Sequence, residues 1–194
     1  MATVQGDVVR TFVAILLDGS TRARLASAVD GLRRAAPGVA WVAEANLHAT
    51  LKFLGRVDAA RLDAVAHALR STVARGPAFS MEIKGLGAFP TPTRPRVIWA
   101  GVAGGVEACA AVAEHVEHAL APLGFSAEAR AFSPHITLGR VREPRRDERL
   151  AALIRAGAAT DFGTVPVRSV SLMRSDLSPR GARYTELSSF PLAD

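Results

Sequence analysis

The chain has 194 residues, 49% of them hydrophobic, with a net charge of +6, a pI of about 10.8 and one cysteine. That length suits one domain, 1–194, with a sizeable core, and a lone Cys109 excludes an internal disulfide and reads as a small core residue in a reducing compartment. No apolar run reaches membrane-spanning length, and residues 12–17 are too short for a signal segment and run into Asp18, so a cytoplasmic location without membrane contact is expected.

In chain order, residues 10–17 read as a first strand. A helix follows from an N-cap at Ser20 to Ala36, ended by Pro37 and Gly38, with Leu25, Val29 and Leu32 as its apolar stripe. Strand signals return at 40–42 and 47–54, the second closed by Gly55. Asp58 then caps a helix reaching Arg75, with Leu62, Val65 and Leu69 facing inward and Gly76-Pro77 as the stop. Residues 79–86 and 96–102 are the next strands, around a loop of Pro, Thr and Arg at 90–95. The second half repeats the plan loosely. A helix spans 105–123, a short apolar strand leads to another at 135–141, a helix covers 147–156, and strands at 165–174 and 182–187 finish the chain. Helices and strands mix without strict alternation, which predicts an α+β fold with mainly antiparallel sheets.

Two of these strands carry the same pattern, His48-Ala49-Thr50-Leu51 and His135-Ile136-Thr137-Leu138. Successive side chains of a strand point to opposite faces, so each histidine shares a face with its threonine and an apolar pair lies behind them. The histidines are 135 − 48 = 87 positions apart, close to half of the 194 residues, which suggests two similar halves that each bring one strand to a shared cleft. In-line displacement at phosphorus needs a base on one side and an acid on the other. Imidazole titrates near neutrality, so one ring can be neutral while the other is protonated. Thr50 and Thr137 then donate hydrogen bonds to the non-bridging oxygens as charge builds. Lys52 has the parity of His48 and Thr50 and so is expected to add positive charge to that face, the competing reading being a solvated strand residue.

Charge composition points the same way. Lys52 and Lys84 are the only lysines, and the planar arginine fork that supplies the remaining positive charge binds phosphate by paired hydrogen bonds. The competing account is a composition set by a GC-rich genome. Metal hydrolysis is the rival use of paired histidines, but a catalytic zinc wants three protein ligands and neither motif has a carboxylate or second histidine at ligand spacing. His115 and His118 read as a solvated helix face, as does His67. No Gly-x-Ser-x-Gly elbow and no phosphate-binding Gly-x-x-x-x-Gly-Lys loop is present.

The paired motifs, with Arg10-Thr11-Phe12-Val13-Ala14, Asn46 through Gly55, Pro95-Arg96-Val97-Ile98-Trp99, Phe132 through Arg140 and Gly181-Ala182-Arg183-Tyr184, resemble the 2H phosphoesterase superfamily over nearly the whole chain. The branch they resemble most is the RNA 2′,3′-cyclic phosphodiesterases, also called 2′-5′ RNA ligases. The resemblance implies a bilobal, pseudo-two-fold α+β fold in which two antiparallel sheets face a central cleft with helices outside. It implies that His48 is the proton donor and His135 the proton acceptor in opening an RNA 2′,3′-cyclic phosphate to a 2′-phosphomonoester, without metal or cofactor. The partner implied is an RNA end, tRNA fragments among them, met by a monomer. Arg140 matches a family arginine, yet its strand parity opposes His135, so a phosphate role needs a bulge or bend at Gly139. Arg96, Arg94 and Tyr184 are candidates for the cleft rim. The alternatives are 2′-5′ ligation of tRNA halves and a non-catalytic RNA-end or nucleotide-binding module.

Overall fold

The computed structural model describes residues 7–179 and 181–193. Its strands are β1 (Val8–Leu16), β2 (Val39–Trp41), β3 (His48–Asp58), β4 (Phe79–Phe89), β5 (Val97–Gly104), β6 (His135–Val141), β7 (Asp161–Val167), β8 (Ser169–Ser178) and β9 (Gly181–Pro191). The helices are α1 (Gly19–Arg33), α2 (Leu62–Val73), α3 (Val106–Leu120) and α4 (Glu148–Ala156). The fold is α+β, as the mixed pattern predicts. Strand order is β7-β4-β5-β6-β3-β1-β8-β9, with β2 added to β6 and every pairing between these strands antiparallel.

The two expected sheets are the outer halves of this order. They are joined where β3 meets β6 through one register pair, Ala49 with Ile136. A joint that narrow lets the halves turn towards each other, and the sheet curls into a half-barrel. The curl brings its outer ends together. At Arg168 the chain passes directly from β7 to β8, and there the Leu192 N–H donates to the Arg168 carbonyl (2.9 Å) and the Ala78 N–H to that of Ala193 (2.7 Å). The strand expected at 165–174 is therefore two strands, β7 and β8, that belong to opposite halves of the strand order.

Alternation decides what each face buries. Val13 and Ile15 of β1, Ala49 and Leu51 of β3, Ile136 and Leu138 of β6 and Val170 and Leu172 of β8 form the main core with Leu25 and Val29 of α1, Val65 and Leu69 of α2, and Cys109, Val112 and Val116 of α3. Removing an aliphatic side chain of this size from water is worth about 1.5–3 kcal/mol, which is what holds the helices on that face. A smaller cluster sets Leu150 and Ile154 of α4 against Ala88 and Ile98, and a third, Phe12, Ala14 and Met173 with Tyr184, lies on the opposite, concave face.

Two local expectations change. Helix α1 is capped by Asp18, not Ser20: the Asp18 carboxylate accepts from the Thr21 N–H (2.8 Å) and the Ser20 hydroxyl (2.7 Å), with its backbone extended as an N-cap requires. The Ser20 hydroxyl, then the Thr21 amide, hold that carboxyl below 3.8. The helix ends at Arg33, before Ala36, and the chain leading into β6 is irregular rather than a strand.

Both motif strands bulge at the leucine after the threonine. Consecutive Ala14 and Val13 of β1 face Thr50 and Lys52, leaving Leu51 unpaired, and consecutive Trp99 and Ile98 of β5 face Thr137 and Gly139, leaving Leu138 unpaired. A bulge shifts the strand's parity by one residue. Lys52 is thereby turned away from the histidine face and buried at 2% exposure, which corrects the expectation that it lines the cleft. Its Nζ donates to Glu117 Oε2 of α3 (2.6 Å) and to the Ser126 carbonyl (2.7 Å). Phe53 takes the outer position and is 52% exposed. In β6 the same shift returns Arg140 to the parity of His135 and Thr137. Gly139 then faces β2, where a Cβ would lie 2.7 Å from Val39 and 2.8 Å from Trp41.

Lys52→Met is expected to destabilise the fold by about 2–3 kcal/mol, because it leaves the Glu117 carboxylate and the Ser126 carbonyl without their buried cation. Urea unfolding measures this, and an unchanged midpoint would show that Lys52 is not a structural cation.

Candidate active site

The concave face gathers both motifs. Antiparallel pairing of Ala49 with Ile136 sets His48 level with Thr137 and Thr50 level with His135, so the motifs are related by a pseudo-two-fold axis through that pair. Each histidine is held in the same way. The His48 Nδ1–H donates to the Asn46 carbonyl and the His135 Nδ1–H to the Ser133 carbonyl, both at 2.7 Å and both two residues back along the chain. With the proton held on Nδ1, the neutral ring has Nε2 free as its base, and the charged ring has Nε2–H as its acid. In His48 that Nε2 lies 2.9 Å from Thr50 Oγ1.

Aromatic rings fix the imidazole planes. His48 sits 4.8 Å from Phe12 and meets the edge of Tyr184 at 5.3 Å, between centroids. His135 meets Phe89 edge-on at 5.3 Å, and Phe89 lies 5.2 Å from Trp99. The Trp99 ring lies across Gly87 and Gly101, which have no side chains to displace it: a Cβ on Gly87 would fall 2.2 Å from that ring. Burial among these rings is the main force lowering the His48 pKa below 6.5, and positive charge on His135 lowers it further, against the bond to the Asn46 carbonyl, which raises it. The two rings are therefore electrostatically coupled.

The structure thus brings together His48, Thr50, His135, Thr137 and Tyr184, and places Arg140 on the same face. Arg96 is exposed just before β5, its carbonyl accepting from the Val141 N–H (2.9 Å) beside Arg140. Arg94 is exposed farther out in the same loop. Lys52 is excluded by the bulge. Among the described residues no group of three or more His, Cys, Asp or Glu side chains is arranged to hold a metal ion, and His67, His115 and His118 are exposed on α2 and α3.

Residue-type patterns passed over Asn46, Phe12, Phe89 and Trp99. Asn46 orients His48 through its carbonyl and, through Nδ2, donates to the Ala182 carbonyl (2.6 Å), pinning the β8–β9 arm that carries Tyr184. Its place two residues before the histidine, matched by Ser133, was the available signal.

Residues 15–99 and 102–184 match the LigT-like phosphoesterase family, and the chain belongs to that family. A protein of Methanothermobacter thermautotrophicus named RNA 2′,3′-cyclic phosphodiesterase is 36% identical over 184 residues, covering 95% of this chain and 99% of its own. One of the same name from Aeropyrum pernix is 37% identical over 84% of this chain and 92% of its own. Among solved structures, a Thermus thermophilus protein superposes with a TM-score of 0.79 at 28% identity over 94% of this chain and 97% of its own. E. coli LigT complexed with 3′-AMP superposes at 0.77 and 26% identity over 97% and 100%.

The coupling has a direct consequence. Replacing His135 by alanine is expected to raise the His48 pKa, since a neighbouring cation is removed, while burial keeps it below 6.5. NMR titration of the His48 ring checks this, and an unmoved pKa would mean that the rings do not sense each other.

Proposed function

We propose that this chain hydrolyses RNA ends bearing a 2′,3′-cyclic phosphate to 2′-phosphomonoesters, with His48 as general acid and His135 as general base. The observation that carries the reading is the pair of imidazoles on one concave face, each with Nδ1–H held by a backbone carbonyl, which makes Nε2 the nitrogen for proton transfer, in His48 beside Thr50 Oγ1. The substrate class follows from the names of the relatives.

The His135 Nε2 takes a proton from water as its oxygen attacks phosphorus in line with the bond to the 3′ oxygen. That bond breaks, and the His48 Nε2–H protonates the departing 3′ oxygen. The histidines end with exchanged protonation and are reset through solvent. Thr50 has a defined part in this sequence. While the protonated His48 donates to Thr50 Oγ1, the threonine O–H is free to point at a non-bridging oxygen, and Thr137 serves the opposite side. Arg140 adds a fixed charge on the same face, Arg96 extends that charge outward, and Tyr184 holds the His48 ring. A 5′-hydroxyl in the place of water gives a 2′-5′ linkage by the same proton transfers, so product analysis separates hydrolysis from ligation. The reading takes the chain as one monomeric, cytoplasmic domain acting on RNA fragments, tRNA halves included, without metal or cofactor. The buried thiol of Cys109, pushed up to about 12 by burial, forms little thiolate and is a packing residue.

His48→Ala and His135→Ala are each expected to lower kcat by about 10²–10⁴ on a cyclic-phosphate-ended oligonucleotide, and the double variant to be little worse than either. Near-native turnover by one single variant would sink the two-histidine mechanism, and turnover abolished by EDTA and restored by zinc or manganese would replace it with a metal mechanism.

The pH profile of kcat/KM should be a bell whose two apparent pKa values belong to the coupled pair. A lowered His48 pKa leaves less of the free enzyme with its acid protonated at neutral pH. The bound phosphate anion stabilises the imidazolium, so the alkaline limb of kcat should lie at higher pH than that of kcat/KM. Coincident alkaline limbs would argue against His48 as the acid beside the phosphate.

A further inference from the structure

Strands β3 and β6 run in opposite directions from the histidines, so the cleft has two open ends. One carries Arg10 facing Arg56, with the carboxylates of Asp7 and Asp58 at the same strand ends. The other, beyond Arg140, is a ledge made of three segments tied by backbone bonds. The Val141 N–H donates to the Arg96 carbonyl (2.9 Å), the Asp147 N–H to that of Thr93 (3.1 Å) and the Arg142 N–H to that of Gly38 (3.3 Å). Arginines 94, 96, 140, 142, 145 and 146 stand on this ledge, all exposed, against Glu143, Asp147 and Glu148.

Two of the three acids there are engaged, Glu148 partly with an arginine of the ledge itself, and Glu143 stands between Arg142 and Arg145. Asp147 caps α4 by accepting from the Leu150 N–H (2.9 Å), and Glu148 pairs with Arg146 (2.8 Å) and Arg155 (3.7 Å). Arg94, Arg96, Arg140, Arg142 and Arg145 have no ion-pair partner among the described residues. Two concavities flank Arg145: one of about 350 Å³ between Pro37-Gly38 and Arg142, the other of about 530 Å³ between Arg94 and Arg146. Unpaired guanidinium groups on segments tied by backbone bonds, with hollows between them, fit successive phosphates of a polyanion.

We propose that the body of the RNA leaves the cleft over this ledge, its backbone phosphates held by Arg142 and Arg145 beyond the terminal nucleotide. The proposal rests on the reading of the cleft as an RNA-end site, and goes beyond it by giving the strand a direction and a second binding region. Phosphate contacts of this kind position the strand without reading its bases.

The test is equilibrium binding, which does not depend on turnover. Fluorescence anisotropy on the intact protein follows an RNA oligonucleotide ending in a 2′-phosphate across a salt series. Each phosphate neutralised on a single strand contributes about 0.7 to the slope of log K against log salt, so Arg142→Ala with Arg145→Ala should lower that slope by about 1.4 and weaken low-salt binding several-fold. Arg142→Lys with Arg145→Lys should keep the slope, and Arg10→Ala with Arg56→Ala should leave binding unchanged. A mononucleoside 2′,3′-cyclic phosphate, too short to reach the ledge, should be turned over by the Arg142/Arg145 alanine variant as by the native protein. An unchanged slope in that variant, an equal loss in the lysine variant, or a loss confined to the Arg10/Arg56 variant overturns the ledge. Absence of any cyclic-phosphate turnover by the native protein would instead overturn the proposed activity, with the ledge still decided by the slope.

Discussion

The contact of β3 with β6 through Ala49 and Ile136 is the joint on which the molecule turns. A full ladder there would hold the two halves nearly flat against each other. A single pair permits the curl that faces His48 and His135 across a cleft and brings the ends of the sheet together at Arg168. It also explains why both residues at the joint are fully buried and apolar: their side chains lie on the helix-covered face, directly behind the histidines. Anything polar there would meet the core of α3 and not solvent.

The paired bulges convert this symmetry into chemistry. Both occur at the leucine after the threonine, but the residues downstream differ, so the same parity shift has opposite results. In β3 it withdraws a cation, Lys52, into an ion pair with Glu117 and exposes Phe53. In β6 it delivers a cation, Arg140, to the histidine face. The lobe around His48 is therefore more aromatic and drier, and the lobe around His135 is more cationic and open.

That asymmetry separates two histidines whose backbone bonds are alike. Desolvation among Phe12 and Tyr184 favours the neutral form of His48, and the charge on His135 adds to the effect. An imidazolium destabilised by burial is a stronger acid, which suits the proposed role of donor to a leaving oxygen, while a bound phosphate anion works the other way and keeps the ring protonated until the transfer. Asn46 joins the two requirements, since one residue both orients His48 and anchors the strand arm that covers it.

Sequence alone determined the α+β class, the apolar stripe of α1 at Leu25, Val29 and Leu32, and the two strands that present His48 with Thr50 and His135 with Thr137. These are local properties: a strand's alternation and a helix's period are written within a few residues. Only the tertiary structure decided the fate of Lys52 and Arg140, because a bulge is set by the register of the partner strand, and alternation read along one strand assigns both to the wrong face. The break at Arg168 lies within a run that reads as continuous strand, and only the closure of the curled sheet shows where it falls. The rings around the histidines and the arginines of the ledge come from segments far apart in the chain. They are adjacent because of how the sheet curls, which no local pattern encodes.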